Sequence, residues 1–522
     1  MRPVNTVLFI LGMLVVSQQS NAQNYYNTQV PNPLVERNIF VKTTPNTVQP
    51  PSFENSKAKL PEPVWPARQD VIKCYWKTWE LAFSNLHGVN NQNGFISPYI
   101  DPAFNGHIFM WDTSFMVLFG RYAHNAFNFQ GSLDNFYSKQ HKDGYISREI
   151  STENGYEIFE RYDASSTGPN IMPWAEWEYF MNFNDTKRLN DVFSPLLAYY
   201  QWFRTYHSWP DGSYFSTGWG CGMDNQPRVP QGFNKEFSPA FMSWIDTSLQ
   251  AVFAGKMLIA MAEKLNRKGE VKDIEKEITA LTAYLQQNMW DEKSSFFYDR
   301  FRDGSLSDVK SIAAYWALLA QVVPENKLDK FIGHLKNPDE FARLHQVPAL
   351  SADNPAFRAD GNYWNGGVWA PTTYMVLRGL TKYKQDSLAY QISLNHLDNV
   401  VKVYNQTGTL WENYAPDQVK GMYRKDMVGW TGLTPISVLF EYVFGIRPAV
   451  PENTITWDII LLDEFGVKKY PFKEAGLIDF WCAKRGKTTD RPKVKIKSNV
   501  AFDLKLVWVG GEEIIHIKPD KS

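Results

Sequence analysis

A change of period constrains this chain more than any other feature. From about residue 67 to about residue 447 apolar residues recur at helical spacing; after about 448 they alternate. "TKRLNDVFSPLLAYYQWFRTYH" puts Leu189, Val192, Phe193, Leu196, Leu197, Tyr200 and Phe203 on one stripe. "GEVKDIEKEITALTAYLQQNMW" does the same with Val271, Ile274, Ile278, Leu281, Leu285 and Met289. Residues three and four apart share a helix face, so both stretches predict amphipathic helices. Similar patterns near 113–124, 130–140, 170–183, 240–266, 308–322, 367–382, 385–404 and 430–444, with a weaker one at 70–85, predict about a dozen helices. The long loops between them are rich in Gly, Asp, Asn and Trp. The expected fold class is mainly α, a helical toroid whose loops meet at one end, where function concentrates.

Period 2 governs the C-terminal part. "AFDLKLVWVGG" alternates Phe502, Leu504, Leu506 and Trp508 with their neighbours, and "PKVKIKS" alternates Val494 and Ile496 with lysines. "TITWDIILL" and "EEIIHIKP" are two more candidate strands, so residues 448–522 predict a small antiparallel β module. At the other end, residues 23–66 are polar and proline-rich and predict an extended leader lying along the helical part. Before that, Arg2, the apolar run "VLFILGMLVV" and the small residues Ser20 and Ala22 form the pattern of a signal peptide, residues 1–22. That run is shorter than the roughly 20 residues a membrane span needs. Export, to the periplasm or outside the cell, is therefore expected, without membrane insertion.

The formal net charge is −1, which argues against nucleic acid or an anionic membrane surface as partner. Aromatic residues make up 15% of the chain, more than a core alone calls for, and flat rings stack well on sugar faces. Cys74, Cys221 and Cys482 are too few for a disulfide framework in a chain this long; three buried thiols are expected, with a single bridge as the alternative. Phosphate-loop, H-E-x-x-H, C-x-x-C and G-x-S-x-G motifs are absent, and the histidines lack metal-ligand spacing, so neither metal nor cofactor is expected.

Four loop segments carry chemistry. "HIFMWDTSF" holds Trp111 and Asp112 at a helix start, where Asp112 either caps the helix or binds a ligand. "STGWGCGMDNQPR" sets Asp224 among glycines beside Trp219, Asn225 and Arg228; its plainer reading is a turn. "DGNYWNGGVWAPTTY" gathers Tyr363, Trp364 and Trp369 around two glycines, either as binding surface or as packing on the next helix. "GTLWENYAPD" places Glu412 between Trp411 and Tyr414, either as a buried acid or as a solvated one in a loop. Together they meet the requirement for cleaving a glycosidic bond, which takes two carboxyl groups, one protonating the leaving oxygen and one activating water or attacking directly. A carboxyl wedged among aromatic rings has its charged form disfavoured, so its pKa rises.

These segments resemble the clan of inverting glycoside hydrolases that contains families 37 and 63, with its trehalases, processing α-glucosidases and mannosylglycerate hydrolases. "GCGMDNQPR" is similar to the acid-bearing "SG-[LMW]-D…-P-R" segment, with Cys221 at a common serine position. "YWNGGVWAPTTY" is similar to "YW-R-G-P-[IV]-W", with Asn365 for the arginine and Gly367 for the proline. "WENY" resembles the base-bearing "E-x-Y", "MWD" the sugar-contacting "WD", and "GWTGLTPISVLFEYVFG" the closing helix; the match runs over about 100–445 in motif order. The resemblance implies an (α/α)6 toroid with Asp224 as general acid and Glu412 as general base. It implies that Asp112 binds sugar hydroxyls, that Trp111, Trp364 and Trp369 line the reactive subsite, and that Arg228 holds the acid loop or the sugar. Two features depart from the family: the missing "YW-R" arginine, which leaves the terminal sugar open, and a leader too short for the large N-terminal β domain of many family 63 enzymes. A polysaccharide lyase or a non-catalytic glycan-binding protein is the alternative function for an exported toroid.

Overall fold

The computed structural model describes residues 30–102 and 104–520. The signal peptide expected at 1–22 lies outside them. Besides the single turns Phe53–Ser56 and Gly218–Cys221, the helices are α1 (Gln69–Ser84), α2 (Met110–Gly120), α3 (Gly131–Ser138), α4 (Met172–Phe183), α5 (Thr186–Tyr206), α6 (Ile245–Lys264), α7 (Lys272–Asn288), α8 (Trp316–Leu319), α9 (Glu325–Gly333), α10 (Ala370–Lys382) and α11 (Asp386–Thr407). A 3-10 segment, Gly429–Leu433, then runs into a π-helix, Thr434–Val443.

Packing arranges these elements in two sets. Helix α2 packs on α4, α4 on α6, α6 on α8, α8 on α10, α10 on the segment Gly429–Leu433, and that segment back on α2. Every residue of α2 and of the adjoining π-helix is buried, and α4 leaves only Trp177 and Met181 partly exposed. Helices α3, α5, α7 and α11 pack outside them and bury one stripe each; α7 buries only Ile274, Ile278, Leu281 and Leu285. Among the described residues only α6 has the length and hydropathy to cross a membrane, and it lies inside this packing.

The strands are β1 (Glu62–Val64), β2 (His107–Phe109), β3 (Glu149–Ser151), β4 (Trp411–Tyr414), β5 (Gly421–Lys425), β6 (Ile446–Ala449), β7 (Thr454–Asp458), β8 (Phe465–Phe472), β9 (Gly476–Cys482), β10 (Val494–Ser498), β11 (Phe502–Trp508) and β12 (Gly511–Ile517), besides two-residue pairs. Two four-stranded sheets form the C-terminal part, in the orders β1-β8-β9-β10 and β6-β7-β11-β12. The expectation of a wholly antiparallel module is corrected: β7 runs parallel to β11, Thr454 opposite Asp503. Residues 30–66 are also not uniformly extended. They contain the 3-10 turns Val35–Arg37 and Phe40–Lys42, and end in β1, antiparallel to β8. All three cysteines are buried and unpaired.

Candidate active site

The starts of the inner helices meet around one cavity of about 420 Å³. Trp111 and Asp112 enter it from the first turn of α2, Gly168 and Pro169 from just before α4, Tyr363 and Trp364 from the loop before α10, and Trp430 from the segment before the π-helix. Trp219, Asp224 and Asn225 come from the loop preceding α6, and Glu412 from β4.

The acid-bearing loop is held on every side. Thr217 caps the single turn Gly218–Cys221, its Oγ1 accepting from Gly220 N at 2.9 Å. Gly222 then adopts φ 76°, a left-handed backbone that glycine takes without strain, and this turns the loop over the Trp111 indole at the cavity wall. Asn225 Oδ1 accepts from Trp364 N at 2.9 Å while its Nδ2 donates to Asn362 O, which joins this loop to the third segment. Arg228 is buried and forks between two carboxylates, donating to Asp246 at 2.8 and 2.8 Å and to Asp299 at 2.8 and 2.7 Å. Its donors are thereby committed: Arg228 anchors the loop and does not reach the cavity.

Three other candidates lie behind the wall. Trp369 is buried and stacks on Trp364 at 3.9 Å and 4°, backing the ring that faces the cavity. Trp411 covers Gly421 across the β4–β5 hairpin, where any side chain would collide with its ring. Tyr414 is buried, its hydroxyl accepting from Trp411 N at 3.2 Å. "GTLWENYAPD" is thus a hairpin strand, and Glu412 is buried within it. Asp112 does not cap α2, whose N-cap is Phe109 with no side-chain cap bond; Asp112 Oδ1 and Trp111 Nε1 are both buried without a hydrogen-bond partner among the described residues. A buried carboxylate oxygen without a donor is a ready acceptor for a ligand hydroxyl.

Sequence reasoning missed Arg148, Glu149, Tyr423, Arg424 and Trp430, all of which line the cavity. Arg148 donates to Trp219 O and lies over the Trp219 ring, 5.6 Å from its centroid. Glu149 accepts from His107 Nδ1 at 2.7 Å. Arg424, on β5, brings Nε to 3.7 Å from Glu412 Oε2 and lies over Phe104. Tyr423 donates to Asn362 Oδ1 at 2.6 Å. In "GMYRK" Met422 and Tyr423 are adjacent and Arg424 and Lys425 follow, so no alternation announced the return strand of the hairpin.

The carboxyl groups respond to this wall. Burial lifts Asp224 to about 6, against the pull of Arg148 and a hydrogen bond from Tyr363. Burial lifts Glu412 to about 7, against Arg424, with Asp224 adding to the rise. Burial also holds Asp112 well above the carboxylate range, with Arg148 opposing. Two raised carboxyls facing one aromatic cavity, with a third buried acceptor beside them, suit the protonation and water activation of glycoside cleavage.

The protein is accordingly a glycoside hydrolase. It belongs to the mannosylglycerate hydrolase MGH1-like glycoside hydrolase family, whose domain model matches residues 106–427. An uncharacterized protein of Borreliella burgdorferi is 24% identical over 366 residues, covering 68% of this chain and 75% of its own. A mannosyl-oligosaccharide glucosidase of Arabidopsis thaliana is 33% identical over 310 residues, covering 47% of this chain and 36% of its own. The chain spans only about a third of such glucosidases. Among solved structures, the GH63 mannosylglycerate hydrolase of Thermus thermophilus in complex with glucose superposes with a TM-score of 0.57 at 19% identity, over 69% of this chain and 99% of that one. The likeness supports the helical fold that carries the site.

Proposed function

We propose that this chain is an exported glycosidase that cleaves an α-glucosyl or α-mannosyl bond with inversion, Asp224 acting as general acid and Glu412 as general base. The observation that carries the reading is the pairing itself: both carboxyls line one cavity, Asp224 from a loop and Glu412 from a hairpin strand, each at the motif position that matches its role. The closed circuit of inner helices with helices outside it supports an (α/α)6 toroid. Residues 1–22 act as the signal peptide, 67–447 as the catalytic part, and 448–522 as a β module joined by the end of the leader. The relatives named as glucosidase and mannosylglycerate hydrolase support the two sugar classes.

Chemistry proceeds in one displacement. Asp112 and the Trp111 and Trp364 rings hold the reactive sugar. Asp224 gives its proton to the glycosidic oxygen as that bond breaks; Glu412 takes a proton from the water that attacks the opposite face. Burial raises both carboxyls, so the assignment of the two roles rests on position.

The test follows from the difference in roles. An activated aryl glycoside needs little protonation of its leaving group. Asp224→Asn is expected to keep far more of its kcat/KM on that substrate than on a natural saccharide, and Glu412→Gln to lose both. The reverse pattern exchanges the roles; full activity in both variants places the site elsewhere. Proton NMR of the first-formed sugar checks the stereochemistry: a β product from an α substrate is expected, with the carboxyls about 6.5–9.5 Å apart as inversion requires.

A further inference from the structure

Beyond the cavity, the wall that carries the acid continues outward as an apolar ledge. Of the phenylalanines among the described residues, only Phe233, Phe237 and Phe241 are strongly exposed, at 42, 42 and 54%. They fall within nine residues of one loop. Spacing of four would place them on one face of a helix, but the loop is a series of turns between Pro230 and Pro239. Phe237 lies 5.0 Å from Trp219, whose other side meets Phe159 at 5.9 Å. Phe233 lies 6.1 Å from Phe241, which lies 6.5 Å from Trp209. Trp219 lines the cavity, so Phe237 adjoins it directly, while Phe233, Phe241 and Trp209 form a second ring group carried by the same loop.

The ledge is built rather than loose. Asn234 Oδ1 accepts from Glu236 N at 2.9 Å and Phe237 N at 3.1 Å, and Trp219 N donates to Glu236 O at 3.0 Å. Ala240 and Phe241 both hold left-handed backbone, at φ 53° and 52°. Two consecutive non-glycine residues in that region store strain, and such strain gathers at binding sites. Here it holds Phe241 out into solvent instead of into the core. Exposed rings continuous with a functional cavity mark a recognition surface.

We propose that this ledge binds the saccharide chain on the leaving-group side of the scissile bond, so that the enzyme favours oligosaccharides over short glycosides. The inference rests on the glycosidase reading. Its occupant follows from position: Trp219 lines the cavity with Asp224, the residue that protonates the leaving group, Phe237 adjoins Trp219, and the same loop presents Phe233 and Phe241 as further exposed apolar faces for a chain of sugars leaving that point.

The experiment compares Phe233→Ala, Phe237→Ala, Phe241→Ala and the triple variant with the unmodified protein. Substrates are linear α-gluco- and α-manno-oligosaccharides of two to seven units and the aryl α-glycosides of the same sugars. For the sugar that is cleaved, kcat/KM is expected to rise at least about tenfold from disaccharide to heptasaccharide, as burial of one or two rings allows. The triple variant is expected to lose that rise through KM while its aryl glycoside activity stays within about twofold. Length-independent kinetics, or equal losses on both substrates, overturn the ledge. So does a variant whose only change is loss of self-association on gel filtration or of sedimentation with lipid vesicles. If no glycoside in the set is cleaved, the glycosidase reading fails by itself. Calorimetry of maltoheptaose and mannoheptaose binding then decides the ledge: affinity weakened in the triple variant keeps it, and no binding to either protein removes it. Phe241→Gly serves as a folding control, since glycine at φ 52° relieves strain and is expected to raise Tm slightly.

Discussion

The two ends of the inner helices treat buried carboxyls in opposite ways. At the far end, Glu441 accepts from Arg121 at 2.6 Å, Tyr374 at 2.7 Å, Tyr122 at 2.9 Å and Arg378 at 3.3 Å. Glu178 there pairs with Arg378 and accepts from Trp174 Nε1 at 3.1 Å. Burial raises Glu178, yet Arg378 and Arg121 win and hold it below its ordinary value. At the near end, Asp112 and Glu412 are buried and Asp224 is half-buried, Arg424 approaches Glu412 only to 3.7 Å, Arg148 acts on the other two without pairing, and desolvation wins. Desolvation therefore acts at both ends, but gives an inert ion-pair cluster at one and proton-holding groups at the other. The count and closeness of arginine donors decide which.

Breaking the inert type of pairing carries the largest expected effect. Arg228→Met strands Asp246 and Asp299 as buried charges, and removing one partner of such a cluster costs about 3–5 kcal/mol. Thermal unfolding is expected to show a large fall in Tm; an unchanged Tm breaks the distinction. Next comes Asp112→Ala, which removes an acceptor that has no protein donor at its Oδ1. It is expected to lower kcat/KM by about 10- to 10²-fold with Tm nearly constant, as leaving a buried sugar hydroxyl without its partner costs about 1–3 kcal/mol.

A smaller effect sharpens the comparison through pH. Because Asp224 and Glu412 titrate at about 6 and about 7 in the native protein, the folded chain keeps protons that the unfolded chain has released above pH 4–5. Stability from these groups is complete at low pH and falls as pH rises through 7. Asp224→Asn and Glu412→Gln are therefore each expected to gain about 1–2 kcal/mol at pH 8, discounted for solvent in the cavity, and nothing at pH 4. Denaturant melts at the two pH values check this. The smallest effect is Arg424→Gln. Losing that cation lets Glu412 rise further, so the acid limb of the kcat/KM profile is expected to move up by less than about one pH unit.

The helices were legible because a stripe of apolar residues is a local property: α5, α7 and α11 lie where the periodicity put them, within a few residues. Helix α9 was missed because nine residues with three buried positions give little period to read. The hairpin β8–β9 was missed too, since Lys468, Lys469 and Pro471 interrupt its alternation and a bulge shifts its register between Val467 and Tyr470. Strand direction in the β7–β11 pair depends on partners distant in sequence, which no local pattern carries. At the site, motif neighbours were read as one group, but side-chain direction split them. Trp364 faces the cavity while Trp369 backs it, and Glu412 faces it while Trp411 covers the hairpin. Arg148 had no motif to announce it.

The strand β1 sets a schedule for synthesis. Glu62 pairs with Lys468, 406 positions later. At about 5–20 residues per second the ribosome needs about 20–80 s to make that partner after β1 has emerged. Throughout that interval an early segment waits with an unpaired edge while the helices assemble behind it. Closure of the C-terminal sheet onto β1 is therefore the event that ties this early segment down, and it happens only after α1 to α11 have all been made.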